Sequence, residues 1–464
     1  MRIEKDSIGE REVADDAYYG IQSLRASENF NISGTQIHPI LIKSYLLLKK
    51  GAAIANDKLK TLEPNYAEAI ISAIDQLISI DAYKNMHQYF IVDTFQAGAG
   101  TSQNMNINEV IANKANEIMG HKLGSYFPIN PNDHVNMSQS TNDTYPTVMR
   151  LASLVLSREL VSELTFLSAS LGMKALEFDS ILKAGRTHLQ DAVPIRLGQE
   201  FKAYQYTIDQ LIKLIKEAQA SLRILGIGGS AIGTGINVPT GFRQFILLEL
   251  KTLFDDDDLS LSLNLIAETQ SQLPMMIYSQ ALRATALELT RIMNDLRLLS
   301  SGPHTGLKEI TLPKSQPGSS IMPGKINPSL LEMGNQVFFK VIGNDQAMAF
   351  ALSAGQLELN VMMPLMAHLT LESTHIMKNA LKNIRLKCID GIIANPKNCE
   401  KYLSLTSQIA TVLNPLIGYA RASELIKEAE EKDKSILEVI KNKKILTVEQ
   451  FNTLLNLKEM TELK

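Results

Sequence analysis

Apolar residues recur at alternating spacings of three and four through Phe201, Tyr204, Ile208, Leu211, Ile215, Ala218 and Leu222, with no Pro or Gly between them. That period places one heptad-like stripe on a single helix. A second helix is predicted through residues 151–172, with Leu154, Val161, Leu164, Leu167 and Leu171 on a shared face. A third runs from Met275 to Ser300, just after Pro274, a residue suited to a helix start or a kink. A fourth follows Asn327–Pro328 and continues to about Leu352, and a fifth covers about Leu357 to Leu386. Five long helices with few strand signals predict a mainly all-α bundle. Several are apolar beyond one narrow stripe, so they need cover on several sides. Association of identical subunits would supply it, and a homo-oligomer is expected.

The flanks differ from this middle. Residues 1–140 mix helices with Gly-, Asn- and Pro-rich loops, and after Asn395–Pro396 the chain becomes more charged and is expected to end in short helices. The expected division is therefore 1–140, a central helical bundle over 141–396, and a small helical domain over 397–464. Thr447 to Gln450 resembles a capping box opening the last helix. The acidic run Asp255–Asp258 cannot face one centre from a helix and reads as a solvated loop.

Composition narrows the function. With 464 residues, two to four domains are expected at roughly 100–200 residues each, and 45% hydrophobic content supports a large core. A net charge of −3 without a basic run gives no reason to expect nucleic acid or a membrane surface as partner. No run approaches the ~18 apolar residues of a membrane span. The opening MRIEKDSIGEREV lacks the apolar core of a signal peptide. Two cysteines, Cys388 and Cys399, are too few for a disulfide framework. A soluble cytoplasmic protein is expected.

Four segments concentrate small polar residues: 96–109, 130–143, 185–194 and 318–328, the last reading GSSIMPGKINP. The GIGGSAIGTG stretch at 226–235 follows an amphipathic helix rather than a strand. It reads as a tight turn between helices and not as a dinucleotide loop. AGAGTS lacks the lysine of a phosphate loop. His134 and His188 lie far apart, with no Cys or Glu at ligand spacing, so no catalytic metal is expected. What remains is chemistry without metal or cofactor on a small polar substrate. Hydroxyls and amides would bind carboxylates, and Lys325 would add a full charge, held between Pro323, Gly324 and Pro328.

GSSIMPGKINP matches the signature loop of the aspartase/fumarase superfamily. AGAGTSQNMNINEV, NPNDHVNMSQSTND, GRTHLQDAVPIRLGQE and FFKVIGND resemble further family blocks in the expected order, as does the start, IEKDSIGEREVADDAYYGIQSLRASENF. The resemblance covers nearly the whole chain. Within the superfamily it is closest to the ammonia-lyases that interconvert L-aspartate with fumarate and ammonia. The alternatives are class II fumarases, which add water, and non-catalytic scaffolds on the same fold. SQSTND, GTSQNMN and the absence of Trp favour the aspartase branch. Gly324 is the fumarase residue, and Met363 stands where several aspartases have Glu. Intact Ser319, Lys325, Asn327, Thr187 and His188 oppose a scaffold.

The resemblance implies three mainly helical domains with a central five-helix bundle, four copies forming a twenty-helix core in a homotetramer. Active sites would be shared between subunits, so the polar segments need not meet within one chain. It implies Ser319 as an alkoxide base. Lys325, with Asn327 and Thr187, would pair with the α-carboxylate. Thr101, Ser140, Thr141 and Ser320 would hold the β-carboxylate. Asn142 and His188 would contact the amino group, and Glu332 would orient His188 from another subunit. In fumarases the region near His134 forms a second carboxylate site. No cofactor is implied as required, and activation by a divalent cation is known for some aspartases. The signature loop is expected to be open or disordered before substrate binds, and to close as a lid.

Overall fold

The computed structural model describes residues 1–79, 85–447, 449–450, 458 and 461–462. In chain order, β1 (Arg2–Asp6) and β2 (Gly9–Val13) form a hairpin, followed by α1 (Ile21–Asn29), α2 (Pro39–Lys58), α3 (Pro64–Ser79) and α4 (Thr101–Ile118). Next come α5 (Thr141–Glu177), the hairpin of β3 (Leu182–Thr187) and β4 (Gln190–Arg196), and α6 (Leu197–Leu222). Then follow β5 (Ile224–Leu225), α7 (Phe242–Phe254), β6 (Ser260–Leu261), α8 (Leu265–Gln270) and α9 (Leu273–Leu299). The chain continues with β7 (Ile310–Thr311), α10 (Ser329–Ser353), α11 (Met363–Lys387) and β8 (Ile393–Ala394). Among the described residues four shorter helices follow: α12 (Pro396–Leu405), α13 (Asn414–Ile417), α14 (Tyr419–Glu431) and α15 (Ile436–Lys443). Every sheet among the described residues is two-stranded.

Two compact units divide the chain. One is Met1–Ser162, Lys213–Ala286 and Phe338–Lys378; the other is Glu163–Ile212, Leu287–Val337 and Asn379–Lys464. The five long helices α5, α6, α9, α10 and α11 each contribute residues to both. Within the first unit, polar pairs join neighbouring long helices. Gln219 donates to Ser157 (2.8 Å), Ser279 to Asp345 (2.7 Å) and Asn344 to Ser373 (2.9 Å). The second unit repeats the arrangement with Ser168 to Asp209, Asn335 to Asn294 and the Arg385–Glu163 ion pair. These pairs fix register between faces that hydrophobic burial alone leaves free to slide.

All seven residues of the α6 stripe are buried. The fifth helix starts at Met363 rather than near Leu357. Pro364 suits the first turn, where its missing N–H has no intrahelical partner to lose, Asn360 Oδ1 takes the Met362 N–H (2.9 Å), and Leu357 has φ +49°. The acidic run is not uniformly solvated. Asp256 is buried and pairs with Arg158 (2.6 Å) and Arg223 (2.9 Å), while Asp255, Asp257 and Asp258 are exposed. Thr447 and Gln450 exchange reciprocal side-chain bonds of 2.9 and 3.1 Å, but the helix expected beyond them lies outside the described residues.

Candidate active site

The first unit presents two helix starts side by side. Thr101 is exposed at the first position of α4, after Gly100 at φ +87°. A Cβ on Gly100 would lie 2.0 Å from the Tyr145 ring of α5, so only glycine permits this approach. Thr141 and Asn142 open α5 instead of lying in a loop. Ser140 caps it, its Oγ accepting the Asn142 N–H (3.3 Å) while Asp143 Oδ1 accepts the Ser140 N–H (2.9 Å). Asn104 of α4 donates to Thr141 Oγ1 (3.1 Å), tying the two starts together. Two adjacent helix N-termini carry partial positive charge, which suits a carboxylate.

Asp143 extends this site to a segment read from sequence as a mere turn. Its Oδ2 accepts the N–H groups of Gly228 (3.0 Å) and Ser230 (2.9 Å), and Asn142 Nδ2 donates to Ala231 O (2.8 Å). The 226–235 stretch is therefore the mould of the Ser140–Asn142 turn. Because Asn142 spends an N–H on a carbonyl, the other end of its amide remains an acceptor. Burial pushes the Asp143 carboxyl up to about 6, against the pull of its three N–H donors. Lys49, also buried, is pushed down to about 7 by burial, with Asp143 pulling it back up. Its ammonium bonds Asn136 Oδ1 (2.9 Å). The signal for Lys49 was present: a lysine stands in an otherwise apolar stripe through Leu41, Tyr45 and Ala52.

The second unit carries the other candidates. GRTHLQDAVP is a β-hairpin, with Thr187 paired to Gln190. His188 and Leu189 both have positive φ (55° and 59°), the signature of a type I′ turn. His188 is thus an exposed tip residue, aimed by a backbone conformation uncommon for non-glycine residues. Behind the tip, fully buried Glu309 pairs with Lys183 (2.7 Å) and Arg186 (2.9 Å), and Lys183 also pairs with Glu200 (2.8 Å). Burial raises the Glu200 carboxyl against the pull of Lys183. Two cations and two carboxylates balance each other beneath the strand that ends in Thr187. No local spacing joins residues 183 and 309.

In the signature loop, Ser319 Oγ accepts the N–H groups of Ile321 (3.3 Å) and Met322 (3.0 Å). Gly318 N–H meets Lys325 O (2.8 Å), and Asn327 Nδ2 meets Gly318 O (2.7 Å), so the loop is clasped at its neck. Ser320 and Lys325 are exposed, while Ser319 and Asn327 are half-buried. Glu332 lies in the first turn of α10. Among the described residues, no hydrogen bond or ion pair joins the Thr187–His188 tip to this loop or to Glu332. Also among the described residues, no group of three His, Cys, Asp or Glu side chains is placed to hold a metal ion.

A family model described as Lyase matches residues 9–343, and one described as Fumarase C C-terminus matches residues 409–462. The chain is 44% identical over 463 residues to the aspartate ammonia-lyase of Bacillus subtilis (strain 168), covering 99% of this chain and 96% of that one. The solved fumarate lyase:delta crystallin from Brucella melitensis superposes with a TM-score of 0.95 at 43% identity over 100% of both chains. The class II fumarase of Schistosoma mansoni gives 0.94 at 33% identity over 99% of each. The chain belongs to this lyase family, the aspartase/fumarase superfamily, and has its mainly helical fold. Within the superfamily it is more similar to the B. subtilis aspartate ammonia-lyase than to the class II fumarase.

Proposed function

We propose that the chain is an aspartate ammonia-lyase, catalysing the reversible anti elimination of ammonia from L-aspartate to fumarate. The observation that carries the mechanism is the Ser319 hydroxyl under two backbone N–H donors. A serine alkoxide is normally too basic to exist near neutrality, and donors that favour the charged form lower that cost. Ser319 takes the proton from the carbon beside the β-carboxylate. The electron pair enters that carboxylate as a dianionic aci form, then returns to form the carbon–carbon double bond as the C–N bond breaks and ammonia leaves. The α4 and α5 starts, with Thr101, Ser140, Thr141 and Ser320, meet the oxygens where this charge develops. Lys325, Asn327 and Thr187 hold the α-carboxylate. Asn142 offers its amide oxygen to the amino group, His188 lies on the same side, and Glu332 of a neighbouring subunit orients that imidazole. No step needs a metal or cofactor.

The reading includes a homotetramer with shared sites, and the exposed apolar side chains of the long helices support it. Phe166, Met173 and Leu176 of α5, Leu287 of α9, and Phe339 and Phe350 of α10 are exposed in the single chain. Apolar area of this kind calls for a partner surface. The reading keeps three domains, 1–140, 141–396 and 397–464, and places the enzyme in the cytoplasm. The fumarase-like Gly324 has φ +79°, a backbone conformation that glycine adopts without strain. The test is fumarate formation, followed by ultraviolet absorbance, with L-aspartate or L-malate as substrate. Product from aspartate and none from malate is expected, and Ser319→Ala should lower kcat by ~100-fold or more with the tetramer intact. Turnover of malate alone would make the enzyme a fumarase.

A further inference from the structure

Residues of the second unit enclose a cavity of about 420 Å³, bounded on one side by residues 324–328 and on the other by Arg297, Lys308 and Lys314. We propose that it is a second anion site, taking a compact polyanion with two or more carboxylate or phosphate groups.

Four cationic side chains line it, those of Arg297, Lys308, Lys314 and Lys325, and no Asp or Glu does. None of the four forms an ion pair among the described residues. Glu309, next to Lys308 in sequence, is committed to Lys183 and Arg186. The Nε of Arg297 is buried without a hydrogen-bond partner. In a chain with 46 basic and 49 acidic residues, four uncompensated cations around one recess concentrate a positive field, and walls of low dielectric strengthen it. The rear wall is built in advance. Lys308 has φ +48°, its N–H bonds Ser301 O (3.0 Å), and its carbonyl takes amide donors from Asn395 (2.9 Å) and Asn398 (2.9 Å).

The front wall belongs to the signature loop, so an occupant that bridges the cavity also engages Lys325. It would thereby draw that ammonium from the substrate α-carboxylate and inhibit turnover. This consequence rests on the proposed role of Lys325, whereas the binding itself does not.

The experiment is calorimetric titration of the full-length protein with two probes, inorganic pyrophosphate and tricarballylate, at low and high salt. It is repeated with Lys308→Asn/Lys314→Ser, in which asparagine tolerates the left-handed backbone at 308. Wild type should bind one probe per chain, more weakly as salt rises, and the double variant about tenfold more weakly or worse. The stronger probe distinguishes a phosphate from a carboxylate ligand. The double variant should keep its basal turnover and lose sensitivity to the probe. Equal binding by wild type and double variant, or none by wild type, overturns the proposal. If the double variant loses binding but neither protein turns over aspartate, the functional reading fails and the anion site stands.

Discussion

Replacing Glu309 by Gln tests whether the buried charges behind the Thr187–His188 tip hold it in place. Glu309 has no exposed surface, and the side chain of Lys183 is only 2% exposed. Two cations and two carboxylates cancel there, so Glu309→Gln leaves one positive charge unmatched. Removing one partner of a buried pair costs about 3–5 kcal/mol, because the other stays desolvated. Lys183→Met/Glu309→Gln leaves Arg186 with Glu200 and restores the balance, so it should cost less than the sum of the two single changes. Urea unfolding followed by circular dichroism, at fixed protein concentration, measures both. The tip should shift as well, and a misplacement of roughly 1 Å lowers kcat by about 100-fold. A single variant within about 1 kcal/mol of wild type, or strict additivity in the pair, would refute the argument.

Acid should destabilise the protein through its histidines. Burial, then the nearby charges of His375, Lys378, His368 and His87, pushes His38 down to about 4; burial also lowers His87, His134, His368 and His375. Between the folded and unfolded values the unfolded chain binds more protons, so stability is lost as pH falls from about 6.5 towards 4. Asp143, raised to about 6, works in the opposite sense and blunts the loss. Melting temperatures across that range check this, and His38→Gln should flatten the slope. Gly100→Ala should cost about 1–3 kcal/mol from overpacking against Tyr145. Gly34→Ala, also at positive φ but in open space, should cost less in the same unfolding assay.

The long helices could be read from sequence because their apolar stripes are periodic and uninterrupted, as in α6. Their ends could not. α5 begins ten residues before the predicted start at residue 151, because the Ser140 cap and Asp143 outweigh Pro146 near the first turns. Thr101 and Thr141, expected in loops, proved to be helix starts for the same reason: polar residues that cap helices resemble loop residues in composition. Short strands carry little periodic signal. β3 and β4 bury only part of each face, and their tip uses His and Leu where a type I′ turn favours Asn and Gly. The catalytic candidates were recognisable as residue types in dense polar blocks. Their supports, Asp143 with the 226–235 stretch and Glu309 with Lys183, join positions too distant for any local pattern to reveal. Asp256 shows the same limit, since what buries it is a pair of arginines 98 and 33 residues away.

The clasp at the neck of the signature loop bears on how the proposed lid would move. Gly318 and Asn327 already tie its two ends, so much of the chain entropy of closing the ring is lost before substrate arrives. The segment can then swing as a preformed paddle about its stems, keeping Ser319 under its two N–H donors throughout the stroke. Such a paddle is also a natural exchange unit: variants of residues 319–324 can be shuffled between relatives without re-engineering the stems, so long as the neck hydrogen bonds survive.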